Sequence, residues 1–171
     1  ERAMAQMPST SLAGGLTDKR VIIQGWGVVG VGSAVRMAEF GARVLGASDR
    51  GGACTWATVP SAESLAQQGR SHALEDLDFA GLRALESADE LLAEPADVLI
   101  LAAASNCVDE RLARRIAAPL VVEGANFALT PGAREVLFER GVVVVPDLIA
   151  SSSSARPARV SPSGAPAESS A

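Results

Sequence analysis

One histidine, one lysine and two cysteines are all that the 171 residues hold of those side chains. His72 has no partner of the kind that activates a nucleophile: the serine run at 151–154 has no histidine placed beside it, so hydrolytic chemistry of that type is not expected. His72 itself reads as a solvated loop residue rather than a catalytic base. Cys54 and Cys107 stand in unlike contexts without metal-ligand spacing, which points to free thiols in a reducing compartment and to no metal site. A basic excess is lacking too. The formal net charge is -5, and no short block concentrates basic residues, so nothing would release counterions from a nucleic acid. No apolar run approaches the roughly 20 residues that cross a bilayer, and the opening "ERAMAQMPST" has no apolar centre of a signal peptide. The expectation is a cytoplasmic chain with neither a membrane nor a nucleic-acid partner.

What is present is a chain 48% hydrophobic and 20% charged, long enough for one sizeable core. Short β-branched runs, "RVIIQ" and "ARVLGAS", flank an amphipathic segment in the order strand, helix, parallel strand. "DVLILAA", "PLVVEGA" and "VVVVPD" repeat the theme, each beside a segment of helical spacing. Near-continuous apolar strands between helices imply a parallel sheet covered on both faces, an α/β doubly wound fold of Rossmann type. In the stretch from Thr55 to Glu94, "SAESLAQQG" and "SADELLAE" read as helices capped by Ser61 and Ser87, with a loop between them. The expected organisation is a lead-in at 1–15, a dinucleotide-binding domain at 16–150 and a disordered tail at 151–171. That tail is Ser, Ala, Pro and Gly with too little apolar bulk to repay ordering. No internal repeat is visible.

The stretch "RVIIQGWGVVG" carries the chemistry. Gly25, Gly27 and Gly30 have the spacing of a nucleotide-binding turn: the first bends the chain, the second admits the pyrophosphate, and the third lets the helix pack on the strand. Trp26, Val28 and Val29 complete that cofactor-binding turn, Trp26 chiefly by packing. A helix beginning near Gly27 aims unpaired N–H groups at the phosphates. Asp49, at the end of the next strand, is placed to accept the adenosine ribose hydroxyls. Arg50 beside it could meet a 2'-phosphate, but Asp49 would repel that group, so NAD is expected over NADP. The competing reading is a glycine corner with a solvated aspartate.

Four segments extend the pattern: "KRVIIQGWGVVG", "GARVLGASDRGGA", "DVLILAAASNCVDERLARRI" and "PLVVEGANFALTPGAREVLFERGVVVVPDLIA". In order and spacing the chain resembles the nucleotide-binding domain of the glutamate, leucine, phenylalanine and valine dehydrogenases, nearest to glutamate dehydrogenase. The resemblance implies that Ala102, Ala103 and Asn106 lie beside the nicotinamide ribose and that Asn126 of "EGAN" lies near the carboxamide. A neutral amide suits that task because it donates and accepts at once. Asn106 also reads as a helix N-cap, and Asn126 as a turn residue. In the family an L-amino acid is oxidised to an oxo acid and ammonia, with lysines and an acidic proton acceptor supplied by a separate substrate domain.

Lys19 is the only lysine here, just before the first strand. "GANFAL" departs from the usual glycine, proline and threonine after "GAN", and "LIASSSSA" replaces the usual return of the chain to the cleft. The expectation is a cofactor half without its substrate half, inactive alone. Its partners would be the dinucleotide, with a separate substrate domain or further copies of the chain. The alternatives are a non-catalytic nucleotide-sensing module and a degenerate fragment with no ligand.

Overall fold

The computed structural model describes residues 15–147. The expected lead-in at 1–15, but for Gly15, and the expected disordered tail at 151–171 lie outside those residues. Within them, β1 (Arg20–Gln24) leads through α1 (Val28–Glu39) to β2 (Arg43–Ser48), parallel to β1. After β3 (Ala53–Trp56), α2 (Ala62–Gln68), β4 (Leu82–Leu85) and α3 (Ala88–Leu91), the chain crosses to the other side of β1. There it lays down β5 (Val98–Leu101), α4 (Glu110–Ala113), β6 (Leu120–Glu123), α5 (Pro131–Glu139) and β7 (Val143–Val145). The sheet order is β4-β3-β2-β1-β5-β6-β7, a doubly wound α/β architecture of Rossmann type.

Alternation along the central strands builds the two layers. Ile22, Leu99, Leu101 and Val121 join one core with Leu91 of α3, Leu112 of α4 and Leu137 of α5. Val21, Ile23, Val44 and Ile100 join the other with Val31 and Ala34 of α1 and Leu65 of α2. Because successive side chains point to opposite faces, strands apolar at every position demand helices on both sides. That is why the uninterrupted "VII" and "VLIL" runs predict this fold. No helix among the described residues is long and apolar enough to cross a membrane.

Three local expectations need correction. The sheet is not wholly parallel: β3 runs antiparallel to β2 and β4 antiparallel to β3, and β4 with the second half of β3 falls in the stretch from Thr55 to Glu94 read from sequence as helices and loop. β3 is four residues long and β4 is mostly exposed, so neither shows the apolar run that marks a buried strand. Ser61 caps α2 as expected, its hydroxyl accepting the Ser64 N–H at 3.1 Å, whereas Ser87 makes no side-chain cap bond. Asn106 does not cap α4. Asp109 does, with Oδ1 accepting the Leu112 N–H at 2.8 Å.

Candidate cofactor site

The three glycines of the β1–α1 turn have three different surroundings. Gly25 has φ +101°, and a Cβ there would lie 2.6 Å from the backbone of Ala102 and Ala103. The turn is thus bent by a residue that only glycine suits. A Cβ on Gly30 would lie 1.8 Å from the Gly25 carbonyl oxygen, so the helix can approach the strand only because that position is bare. A Cβ on Gly27 would meet nothing within 4 Å. Protein packing therefore explains Gly25 and Gly30 and leaves Gly27 facing open space, the place where a ligand's backbone contact is needed. Gly27 is also the N-cap of α1, offers no capping side chain, and is followed by no acidic residue in the first turn. The positive end of a twelve-residue helix is left uncompensated by side chains. Val28 and Val29, in that first turn, are exposed.

In front of this turn a cleft of about 430 Å³ opens at the carboxyl ends of β1, β2 and β5. Here the chain order reverses about β1, the position at which open α/β sheets take ligands. Gly25, Trp26, Gly27, Asp49, Arg50, Ala102 and Ala103 all line it. So do Gln24, Ser48 and His72, none of which the motif singles out. Gln24 and Ser48 are the last residues of β1 and β2, so the rule that strand ends face the ligand would have found them. His72 is exposed, as expected, yet it belongs to the cleft wall. Trp26 is 1% exposed and packs edge-on against Trp56 at 6.2 Å, in keeping with a packing role. Its indole N–H has no hydrogen-bond partner among the described residues.

Asp49 is more engaged than the sequence suggests. Oδ1 accepts the N–H groups of Gly51 at 2.7 Å and Gly52 at 3.1 Å, and Oδ2 accepts that of Leu74 at 3.0 Å. A carboxylate offers about four acceptor positions, so one remains for a further donor. Cys54, buried behind this turn, has its thiol pushed up to about 11, first by burial and then by the charge of Asp49. Cys107 is half-buried and shifted upward, chiefly by burial. Both cysteines are free.

Asn106 and Asn126 do not line the cleft. They occupy two loops, after β5 and after β6, that are laced together. The Ser105 hydroxyl donates to the Asn126 carbonyl at 2.7 Å, and the Asn106 N–H to the Phe127 carbonyl at 2.7 Å. The Val108 N–H reaches the Ala128 carbonyl at 3.1 Å, and the Thr130 N–H the Val108 carbonyl at 3.0 Å. Asn106 and Phe127 both have left-handed backbone, φ +53° and +52°. That conformation is tolerated by asparagine and disfavoured for phenylalanine. Phe127 stands where the family resemblance calls for glycine.

The family described as Glutamate/Leucine/Phenylalanine/Valine dehydrogenase matches residues 2–154. The chain belongs to this family. It is 36% identical to the NADP-specific glutamate dehydrogenase of Saccharolobus shibatae over 86% of its own length and 34% of that protein's. It is also 36% identical to the NAD-specific glutamate dehydrogenase A of Halobacterium salinarum, over 79% of its length and 30% of the relative's. Among solved structures it is similar to the hetero-hexameric glutamate dehydrogenase of Thermus thermophilus in its Leu-bound form. The TM-score is 0.65 and the identity 34%, over 78% of this chain and 30% of that one. The chain thus spans about a third of the length of these dehydrogenases. Both NAD- and NADP-specific proteins occur among these relatives.

Proposed function

We propose that this dehydrogenase-family chain is the cofactor-binding part of an NAD-dependent amino-acid dehydrogenase, with glutamate as the amino acid. The observation that carries the reading is the division of labour among the glycines: Gly25 and Gly30 are required by packing, while Gly27 is bare towards an open cleft at a helix N-terminus. Those residues fit a dinucleotide. Gly27 and the first-turn N–H groups of Val28 and Val29 would take the pyrophosphate. The remaining acceptor position of Asp49 would take a ribose hydroxyl and disfavour a 2'-phosphate by like charge. Ala102, Ala103 and Asn106 would border the nicotinamide ribose, and Asn126, on the loop laced to that of Asn106, would orient the carboxamide.

The bound nicotinamide would supply the hydride acceptor, the protein supplying orientation and electrostatics. Lys19 directly precedes β1, at the end of the strands opposite the cleft. A strand of five residues puts it about 17 Å from the carboxyl ends. On this reading the lysines that hold the amino acid would be supplied by a separate substrate domain.

The experiment is calorimetric titration of the chain and of Gly27→Val with NADH. The parent is expected to bind, and Gly27→Val to lose binding while keeping its melting temperature, because the added side chain enters open space. Absence of binding by the parent at millimolar NADH, or equal binding by the variant, overturns the reading.

A further inference from the structure

Glu123 is the last residue of β6 and is completely buried. It is the only buried charged side chain among the described residues. One carboxylate oxygen accepts the Leu129 N–H at 3.0 Å, and the other is paired with the guanidinium of Arg134 on α5. Arg134 remains about one-third exposed. A buried ion pair is poor evidence of stabilisation, since apolar replacements of similar volume are often as stable. The buried side chains of the described residues are otherwise apolar but for Ser48, so its placement calls for another reason.

The reason lies in what the pair closes. The loop after β6 starts with the Gly124 and Ala125 N–H groups both donating to the Leu101 carbonyl, at 2.8 and 2.9 Å. It ends where the Leu129 N–H meets Glu123. Both feet of the loop are pinned, one to the end of β5 and the other to the end of β6, with Asn126 between them. The second pin is a carboxylate whose own direction is set by Arg134. The lacing to Ser105 and Asn106 then carries the same constraint to the neighbouring loop.

We infer that Glu123, oriented by Arg134, is a positioning residue for the nicotinamide end of the bound dinucleotide, fixing the loop beside the cleft from which Asn126 acts. The inference rests on the nucleotide-binding reading above. It separates the two ends of the ligand: Asp49 and Gly27 serve the adenosine and pyrophosphate without help from Glu123, whereas the nicotinamide depends on it. Glutamine at this position keeps an acceptor for Leu129 but gives up the charge that engages Arg134, so the loop closes less firmly.

The test compares NADH with ADP-ribose, which has the pyrophosphate and adenosine but no nicotinamide, on the full chain. Glu123→Gln is expected to weaken NADH binding about ten-fold, the scale of one well-aimed hydrogen bond, and to alter ADP-ribose binding by less than about two-fold. In an Asn126→Ala background the same change should cost nothing more, because coupled residues are not additive. Arg134→Gln should reproduce the selective loss and Arg134→Lys should largely restore NADH binding. Arg134, about one-third exposed, also serves as the deciding site if Glu123→Gln does not fold. Equal weakening of both ligands, unchanged NADH binding, or additive losses with Asn126→Ala would overturn the inference while ADP-ribose binding by the parent leaves the nucleotide reading intact. Failure of the parent to bind ADP-ribose would overturn both.

Discussion

The Oδ2 atom of Asp49 accepts the backbone N–H of Leu74 at 3.0 Å, across 25 residues of chain. With Gly51 and Gly52 on Oδ1, this one carboxylate shapes the β2–β3 turn and ties down the segment that carries His72 to the cleft wall. Asp49 therefore has two duties, and substitution should reveal both.

Asp49→Ser is expected to narrow the preference for NAD over NADP, since the like-charge repulsion of the 2'-phosphate is removed and Arg50 is left beside it. It should also destabilise the fold by roughly 1 kcal/mol, the cost of leaving the half-buried N–H groups of Gly52 and Leu74 without their partner. Calorimetric Kd values for the two dinucleotides and urea unfolding measure the two effects separately. A serine variant as stable as the parent would show that the Leu74 bond is energetically idle.

Gly30 and Gly27 should respond oppositely to the same chemistry. Gly30→Ala forces a methyl group to within 1.8 Å of the Gly25 carbonyl oxygen, so α1 must move off β1, at a cost of about 1–3 kcal/mol or more. Its nucleotide binding should fall together with its stability. Gly27→Ala places its methyl group in open space and should leave the unfolding midpoint close to that of the parent.

Phe127→Gly is expected to stabilise the chain. Phe127 is 67% exposed with φ +52°, so it contributes little burial while holding a conformation that costs an L-residue roughly 1–2 kcal/mol. Glycine removes that strain and returns part of the gain as backbone entropy of the unfolded chain. The net rise should be visible in denaturant unfolding. A loss of stability would mean that the exposed ring makes contacts worth more than the strain.

Acid should weaken the join between β1 and β5. The backbone N–H of Arg20 donates to Asp97 at 2.8 Å, and its guanidinium at 3.0 and 3.3 Å. The guanidinium hydrogen bond is the main cause that holds the Asp97 carboxyl below its ordinary value, against the opposing effect of burial. A depressed carboxyl contributes stability that is complete above the unfolded-state value, about 3.9, and is lost as pH falls through the folded-state value. The gap in unfolding free energy between the parent and Asp97→Asn should therefore be constant above about pH 5 and close progressively below about pH 4. A gap independent of pH over that range would remove the ion pair from the account.

The parts legible in the sequence were those in which local pattern and burial coincide. Val21–Ile23 and Val98–Leu101 are apolar at every position because helices cover both faces, and Gly25, Gly27 and Gly30 each sit where backbone geometry or open space requires. β3 and β4 were not legible, since Ala53–Trp56 owes its strand to pairing with β2 and to the packing of Trp56 on Trp26 and Phe79. Asn106 looked like a helix cap because it precedes a helical pattern. Its left-handed backbone instead turns the loop back, so that Asp109 starts the helix three residues later. The engagement of Asp49 by Leu74 and of Glu123 by Arg134 had no signal in spacing at all, both being products of the tertiary fold.

The position of β1 has a kinetic consequence. One edge of β1 meets β2 after a short excursion through α1, while the other meets β5 only after the intervening chain is laid down: Arg20 and Asp97 are 77 positions apart. Contacts so distant close late and slowly in folding. The cleft straddles that seam, with Gln24 and Asp49 on the early side and Ala102 on the late one. A molecule spanning it can be held only once the two halves have docked, and by mass action it opposes their parting. Ligand occupancy should thus act as a latch on the seam, lengthening the native lifetime.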